Sequence, residues 1–308
     1  MIDYSIIIPH KNSPELLQFC LDSIPVREDV QVIVVDDNSD AGKVDFEHFP
    51  QWKGVHYEYY LTKEGKGAGY ARNVGLEHAN SKWVLFADAD DYFLPEVNEI
   101  LDQEKGTEAD ILFFRTKSVM LEDRCSYSGR ADQYNRLMDQ YLESFDEILL
   151  RCRWLSAANK FYKLKLIQEN EIRFDEIRYS NDNVFSVKAG VSARKIAICE
   201  KPFYCITESG MSLTSSFMKK PGEFRIRGDA FFRAQTILYN HGYPVDEERA
   251  LSYLGRLFSA DRKAFVLNFN RMRKMGFKKS WLLREIFKDN SRSAALKRRV
   301  FAFFCTGF

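Results

Sequence analysis

Five short runs rich in β-branched and aromatic residues, at 4–9, 30–35, 55–61, 83–87 and 111–114, recur through the first half of the chain with helix-like stretches between them. That alternation leaves few ways to bury the apolar surface, and it predicts a mostly parallel α/β sheet. Between the first two runs, Ser13-Pro14-Glu15 opens a helix in which Leu16, Leu17, Cys20, Leu21 and Ile24 recur at helical spacing. Ser13 is the expected cap and Pro14 the first helical residue. The first two runs are almost continuously apolar, as strands covered on both faces should be, and each ends in polar residues. In such sheets ligands bind at the carboxyl ends of the strands.

Three polar clusters stand at these ends: Pro9-His10-Lys11-Asn12, Asp36-Asp37-Asn38-Ser39 and Asp88-Ala89-Asp90-Asp91. Asp, Asn and Ser also favour turns and caps for local reasons, which is the competing account of each cluster taken singly. Three clusters in register with strand ends are expected to converge on one crevice. The acidic one carries the most chemistry, because three carboxylates within four residues repel unless a cation or hydrogen-bond donors compensate them. Oxygen-only ligands suit Mg²⁺ or Mn²⁺, ions that fill their remaining positions with water and substrate phosphates.

Composition bounds the alternatives. A chain of 308 residues, 45% apolar and 14% aromatic, can bury one large core with a smaller helical appendage. Its 45 Lys+Arg against 44 Asp+Glu leave a net charge of +1, so no global field draws it to nucleic acid. The six cysteines fall in no zinc or redox spacing and read as reduced thiols. Met1 is followed by Asp3 and a short apolar run, without the basic start of a secretory signal, and no apolar stretch reaches bilayer length. A cytoplasmic location is the expectation.

Four ordered motifs, Ser5-Ile6-Ile7-Ile8-Pro9, Val34-Val35-Asp36-Asp37-Asn38-Ser39, Gly69-Tyr70-Ala71-Arg72-Asn73-Val74-Gly75 and Phe86-Ala87-Asp88-Ala89-Asp90-Asp91, closely resemble glycosyltransferase family 2. The resemblance covers roughly 4–214 and implies the GT-A fold, a Rossmann-like nucleotide-diphospho-sugar transferase domain in which a nucleotide-binding half (1–115) joins an acceptor-binding half (116–215). It further implies that Asp37 holds the nucleobase, with Pro9, His10 and Lys11 beside it. Arg72 would lie near the nucleotide, Asp88 on the ribose and Asp90 on the metal that binds the diphosphate. Asp91 would orient its neighbours or cap a helix. The glycine-rich segment 63–69 lacks the Gly-Lys-Ser/Thr ending of a P-loop and reads as a turn before the Arg72 helix.

Farther along, Ser156-Ala157-Ala158-Asn159-Lys160-Phe161-Tyr162-Lys163, Ile172-Arg173-Phe174 and Ser180-Asn181-Asp182-Asn183-Val184-Phe185 resemble the family's second signature, in which a Glu-Asp pair begins a helix. Asp182 falls on the catalytic base, with a helix cap as a compatible local role. Asn181 stands where Glu is commonest. The resemblance thus implies a metal-dependent, inverting enzyme that moves a sugar from a nucleotide diphosphate, UDP-sugars being favoured, to a saccharide or lipid-linked saccharide in surface polysaccharide synthesis. A sugar nucleotidyltransferase is the alternative, although Pro9-His10-Lys11-Asn12 is not the phosphate loop such an enzyme carries. A catalytically inactive nucleotide-sugar-binding module is another, and retention of Asp90 and Asp182 opposes it.

Residues 195–199 and 202–207 read as a strand pair closing the catalytic domain, and 209–214, with Ser212 and Thr214, as a loop after it. From 216 to 308 the pattern is helical, with helices expected at 224–241 and 247–269 and a break at Gly242-Tyr243-Pro244. Residues 271–299 carry eleven Lys/Arg and two acids, interleaved with Trp281, Leu282, Leu283, Ile286 and Phe287 and followed by the aromatic run 300–304. A basic amphipathic element at 271–304, lying on the inner face of the cell membrane, is one account; a solvated charged face is the other. Nothing in it matches a nucleic-acid-reading motif. Loops such as 120–134 are expected to set acceptor choice.

Overall fold

The computed structural model describes residues 1–209 and 221–288 and divides the chain into two compact units, Met1–Phe217 and Met218–Phe308. In the first unit, β1 (Tyr4–His10), β2 (Val30–Asp36), β3 (His56–Leu61) and β4 (Trp83–Phe86) pair in parallel. Residues buried along their whole length form β1 and β2, as the unbroken apolar runs predict. With β6 (Ile111–Phe114), β8 (Lys160–Lys163) and β9 (Ile196–Cys199) they make a seven-stranded sheet of order β3-β2-β1-β4-β8-β6-β9, in which only β8 runs against the rest. A smaller sheet of order β5-β10-β7 joins β5 (Tyr92–Phe93), β7 (Lys117–Met120) and β10 (Tyr204–Glu208).

Strand order reverses between β1 and β4, and this is where the site opens. The β1–β4 ladder ends at Ile7 against Phe86, with the Ala87 amide donating to the Ile7 carbonyl. Pro9 follows on β1 with its missing N–H turned to that same side, so a proline in a central strand costs no sheet hydrogen bond there. The two strands part, and their polar ends flank a crevice.

Helices α1 (Pro14–Asp22), α2 (Ala68–His78), α3 (Val97–Glu104), α4 (Asp132–Ser144), α5 (Leu164–Glu169) and α6 (Asp182–Ser192) belong to this unit. Pro14 occupies the first turn of α1 as expected, but Ser13 makes no side-chain cap; its amide donates instead to His10 Nε2 at 3.1 Å, turning the residue toward the strand end. The expected pairing of 195–199 with 202–207 is also corrected. β9 extends the large sheet beside β6, whereas β10 lies between β5 and β7 in the small one.

The second unit contains α7 (Pro221–Asn240), α8 (Glu247–Ala260), α9 (Arg262–Lys274) and α10 (Lys279–Lys288). The single helix expected at 247–269 is two. Asp261 leaves helical geometry at φ −152°, and its carboxylate accepts from the Ala264 amide at 3.0 Å, which starts α9 afresh. Leu282 and Ile286 of α10 are buried in this unit's own core, with Trp281 and Leu283 packed against it. That part of the basic segment therefore spends its apolar face within the protein, and 289–304, like Ser212 and Thr214, lies outside the described residues. No helix among the described residues is long and apolar enough to cross a membrane.

One buried cation secures α6. Arg151 sits in a π-helical turn, Leu149–Arg153, and donates to the carbonyls of Gly190 at 2.9 Å and Ala193 at 2.6 Å and to the Glu147 carboxylate at 2.6 Å. The carbonyls at that helix end have no intrahelical donor, so the guanidinium both satisfies them and complements the helix dipole. Replacing Arg151 with Met should lower the unfolding free energy of the chain by about 2–4 kcal/mol in denaturant titration. A change below about 0.5 kcal/mol would mean that water replaces the arginine without loss.

Candidate active site

The crevice begins with a buried scaffold. The Asp36 carboxylate accepts from His10 Nδ1 at 2.7 Å, from the Ser39 hydroxyl at 2.6 Å and from the Ser39 amide at 2.8 Å. Burial alone would raise its pKa, but these donors hold the carboxyl below its ordinary value. Because His10 Nε2 accepts the Ser13 amide, the proton of this imidazole is on Nδ1, facing Asp36. The His10 ring is fully buried and packs edge-on to Phe49, so its side chain braces the loops and does not face the crevice as expected.

Asp37 is placed differently. Its Oδ2 accepts from the Gly67 amide at 2.9 Å and stands 3.4 Å from Lys11 Nζ, which also donates to the Asp37 carbonyl at 2.9 Å. Oδ1 is buried and has no donor among the described residues. A buried carboxylate oxygen left without a donor is costly, and a ligand N–H would relieve it. The segment 63–69 is therefore more than a turn: Gly67, at φ 97°, presents its amide to Asp37 as it starts α2. Gly69 then allows the first turn of α2 to touch the second half, since an added Cβ would lie 2.1 Å from the Asp175 carbonyl oxygen.

Arg72, on α2, is buried and reaches in two directions. Nη1 donates to Asn181 Oδ1 at 2.8 Å, Nη2 donates to Asp88 Oδ1, and the guanidinium lies 5.3 Å from the Phe174 ring centroid. Arg72 and Asp88, which the family resemblance places on the nucleotide side, are thus joined through Asn181 to the helix that carries Asp182. Asn181 is the residue before α6, and its side chain is spent on Arg72, not on capping. Asp182 is the first helical residue. Ser180, just before the pair, sits at φ 55°, a strained conformation for a non-glycine residue.

One oxygen from each of Asp88, Asp90 and Asp91 lies within 4.8 Å of the other two. Burial, followed by the charge of Asp88, pushes Asp90 up to about 6. Burial, with Asp90 and Asp88 added, raises Asp91 well above the usual carboxylate range. Three crowded acids, two of them raised by burial and by their neighbours' charge, with oxygen donors alone, fit a hard divalent cation. Asp182 is also raised, first by burial and then by Asp88, against the opposing charges of Arg72 and Lys160. A carboxyl tuned upward in a cleft is suited to accept a proton.

Four residues here escaped the sequence reading. The Tyr204 hydroxyl, fully buried on β10, accepts from the Asp88 amide at 2.8 Å and donates to Asp91 Oδ2 at 2.9 Å. Thr207, on the same strand, gives its amide to Asp91 Oδ1 at 2.7 Å and its hydroxyl to the Asp90 carbonyl at 2.8 Å. Arg130 contributes a positive charge that Asp90 feels from the second half. Lys160 is 2% exposed, donates to the Trp154 carbonyl at 2.9 Å, and lies 5.1 Å from the Phe113 ring centroid and 5.7 Å from that of Tyr162. No sequence signal marks Tyr204, Thr207 or Arg130, because each acts across more than one hundred residues or from an irregular loop. Lys160 lay within a motif that was read as a block.

Residues 5–147 match the family model described as Glycosyl transferase family 2. The chain is 26% identical over 238 residues to the poly(ribitol-phosphate) beta-N-acetylglucosaminyltransferase TarS of Staphylococcus aureus, covering 73% of this chain and 39% of that protein. It is 26% identical over 225 residues to the poly(ribitol-phosphate) beta-glucosyltransferase of Bacillus spizizenii, covering 70% of this chain and 34% of that one. The chain thus spans about two fifths or less of the length of these curated relatives. Among solved structures, the crystal structure of S. aureus TarS 1-349 in complex with UDP-GlcNAc superposes with a TM-score of 0.60 at 22% identity, covering 92% of this chain and 82% of that one. The shared fold is GT-A.

Burial pulls the Lys160 ammonium down to about 7 from 10.5, with the Asp182 charge partly opposing it. Between those values the unfolded state holds the proton that the folded state has released, so the lysine's contribution makes stability rise with pH across the window. Urea unfolding at intervals from pH 6.5 to 9.5 should show a slope of up to about 1.4 kcal/mol per pH unit in the native protein that Lys160→Met lacks. Equal slopes in the two proteins would contradict a neutral folded-state lysine.

Proposed function

We propose that this chain, a member of glycosyl transferase family 2, transfers a sugar from a nucleoside diphosphate donor to a hydroxyl of a surface-glycan precursor, with inversion at the anomeric carbon. The single observation that carries this is Arg72, which ties Asp88 of the acidic cluster to Asn181 beside Asp182 and so brings a donor-side cation site and a raised carboxyl to one crevice. A UDP-sugar donor is favoured by the Asp37 Oδ1 left without a donor among the described residues, an acceptor matched to a pyrimidine imide N–H. The complex of TarS with UDP-GlcNAc supports the same choice. The names of the curated relatives, which act on poly(ribitol-phosphate), support a cell-surface polymer or its lipid-linked precursor as acceptor.

Each residue then has a task. Asp37 reads the base, with Lys11 and the Gly67 amide holding its carboxylate. Pro9 lies on β1 just past the end of its ladder with β4, where the crevice opens, and Asp88, oriented by Arg72, meets the ribose side of the nucleotide. Asp90, flanked by Asp88 and Asp91, would hold Mn²⁺ or Mg²⁺, which when bound supplies positive charge to the diphosphate. Arg130 adds a fixed positive charge near Asp90. Asp182 takes the proton from the acceptor hydroxyl, on the face opposite the leaving diphosphate, which the in-line geometry of inversion requires. Asn181 keeps Arg72 turned toward Asp88 while adding no second negative charge beside the base.

Screening nucleotide sugars for Mn²⁺-dependent thermal stabilisation should identify the donor, because a ligand of the native state raises its apparent stability. With that donor, Asp182→Asn should reduce kcat by about 10²–10⁴-fold and leave donor affinity within about threefold. Asp90→Asn should weaken Mn²⁺-dependent binding of UDP by at least about tenfold. An Asp182→Asn protein that turned over normally, or an Asp90→Asn protein that bound Mn²⁺ and UDP normally, would reject the assigned roles.

A further inference from the structure

The acidic cluster is held from a strand that enters the chain more than one hundred residues later. Both oxygens of Asp91 are occupied, one by the Tyr204 hydroxyl at 2.9 Å and the other by the Thr207 amide at 2.7 Å. The same Tyr204 oxygen accepts the Asp88 amide at 2.8 Å, and the Thr207 hydroxyl donates to the Asp90 carbonyl at 2.8 Å. Asp88, Asp90 and Asp91 are therefore each tied by at least one hydrogen bond to Tyr204 or Thr207. Tyr204 is 0% exposed and Thr207 7% exposed, so water does not compete for these bonds.

Between the three acids there is no helix or long ladder to hold their spacing. β4 has ended at Phe86, and the two-residue β5 pairs only with Tyr204 and Cys205 of β10. Crowded carboxylates in such a loop would spread apart to relieve repulsion unless something fixed the backbone. Tyr204 suits this: one oxygen serves as acceptor to the first acid's amide and donor to the third acid's carboxylate, which fixes the separation of the two ends. Asp91, engaged on both oxygens, is the anchored foot of the loop, and Asp88 and Asp90 are its arms.

We propose that Tyr204 and Thr207 are positioning residues that hold the acidic loop in the shape that binds a divalent cation together with a nucleoside diphosphate. The proposal rests on the transferase reading above. It makes the small sheet, which contributes no group to the reacting atoms, the determinant of cation affinity, and it assigns Asp91 to the support of the site and not to its ligand set. Polar groups that orient metal-binding carboxylates change metal affinity by about 10–100-fold when removed.

The test is Mn²⁺ binding by the full chain in the presence of saturating UDP, followed by electron paramagnetic resonance of the free ion, for the native protein, Tyr204→Phe, Thr207→Val and Tyr4→Phe. Tyr4 is the control, since its hydroxyl is equally buried and donates to the Leu101 carbonyl at 2.6 Å, away from the cluster. Tyr204→Phe should raise the Mn²⁺ dissociation constant by about tenfold or more, while Tyr4→Phe loses comparable thermal stability and leaves Mn²⁺ binding within about twofold. Thr207→Val, which keeps the amide and loses only the hydroxyl, should fall between them. Native-like Mn²⁺ binding by Tyr204→Phe overturns the positioning role while the transferase reading stands. Equal weakening in Tyr204→Phe and Tyr4→Phe overturns it also, as a general stability effect, and absence of Mn²⁺ binding in the native protein overturns both readings together.

Discussion

Arg72 is a buried cation whose two amino groups serve different halves of the first unit, one donating to Asp88 at the end of β4 and the other to Asn181 at the start of α6. A guanidinium taken out of water must find acceptors, and here the available acceptors lie on both sides of the crevice. The constraint propagates outward. Phe174 lies against the guanidinium and stacks on Phe185 of α6 at a centroid distance of 3.9 Å, so the charged bridge and the aromatic core hold the same helix. Asn73, the next residue on α2, bonds the Phe174 backbone twice, with its side chain accepting at 2.8 Å and donating at 3.0 Å. Two neighbouring residues of α2 thereby lock the segment carrying Asp88 to the one that carries Phe174 and Asp182.

The acids of the site are held by complementary means. Asp36 is satisfied wholly inside the protein and serves the fold, whereas its neighbour Asp37 keeps an oxygen without a donor among the described residues. Adjacent identical residues thus take opposite roles, because successive side chains at a strand end face opposite sides. Asp88, Asp90 and Asp91 show the same division of labour under stronger repulsion. Asp91 is sunk against Tyr204 and Thr207, and the other two remain at the mouth.

Much of this was legible beforehand. The apolar runs at 4–9 and 30–35 located β1 and β2 because parallel strands buried on both faces must be apolar throughout, and the polar residues after them marked the crevice. Asp37, Arg72, Asp88, Asp90 and Asp182 do come together around it, with His10 the exception whose ring turns inward. What escaped was everything set by pairing at a distance. The pattern of 195–207 says strand twice over, but it cannot say that β9 and β10 go to different sheets, since the partners β5, β6 and β7 lie far back in the chain. Nor does it show that Asp261 divides one helical pattern into two, because its carboxylate could equally have faced water in mid-helix.

The amino-acid order alone determined the alternation of strands and helices, the strand ends that carry acids, and the residue types able to bind a nucleotide, a cation and a proton, since these depend on local periodicity and side-chain chemistry. Only the tertiary structure decided which acid is engaged by donors and which keeps an oxygen without one, how Asn181 is used, and that Tyr204, Thr207 and Arg130 lie at the acidic cluster and Lys160 near Asp182. Those assignments depend on burial and on hydrogen bonds between segments 30 to 120 residues apart. Burial and partnership arise only when the chain has closed on itself.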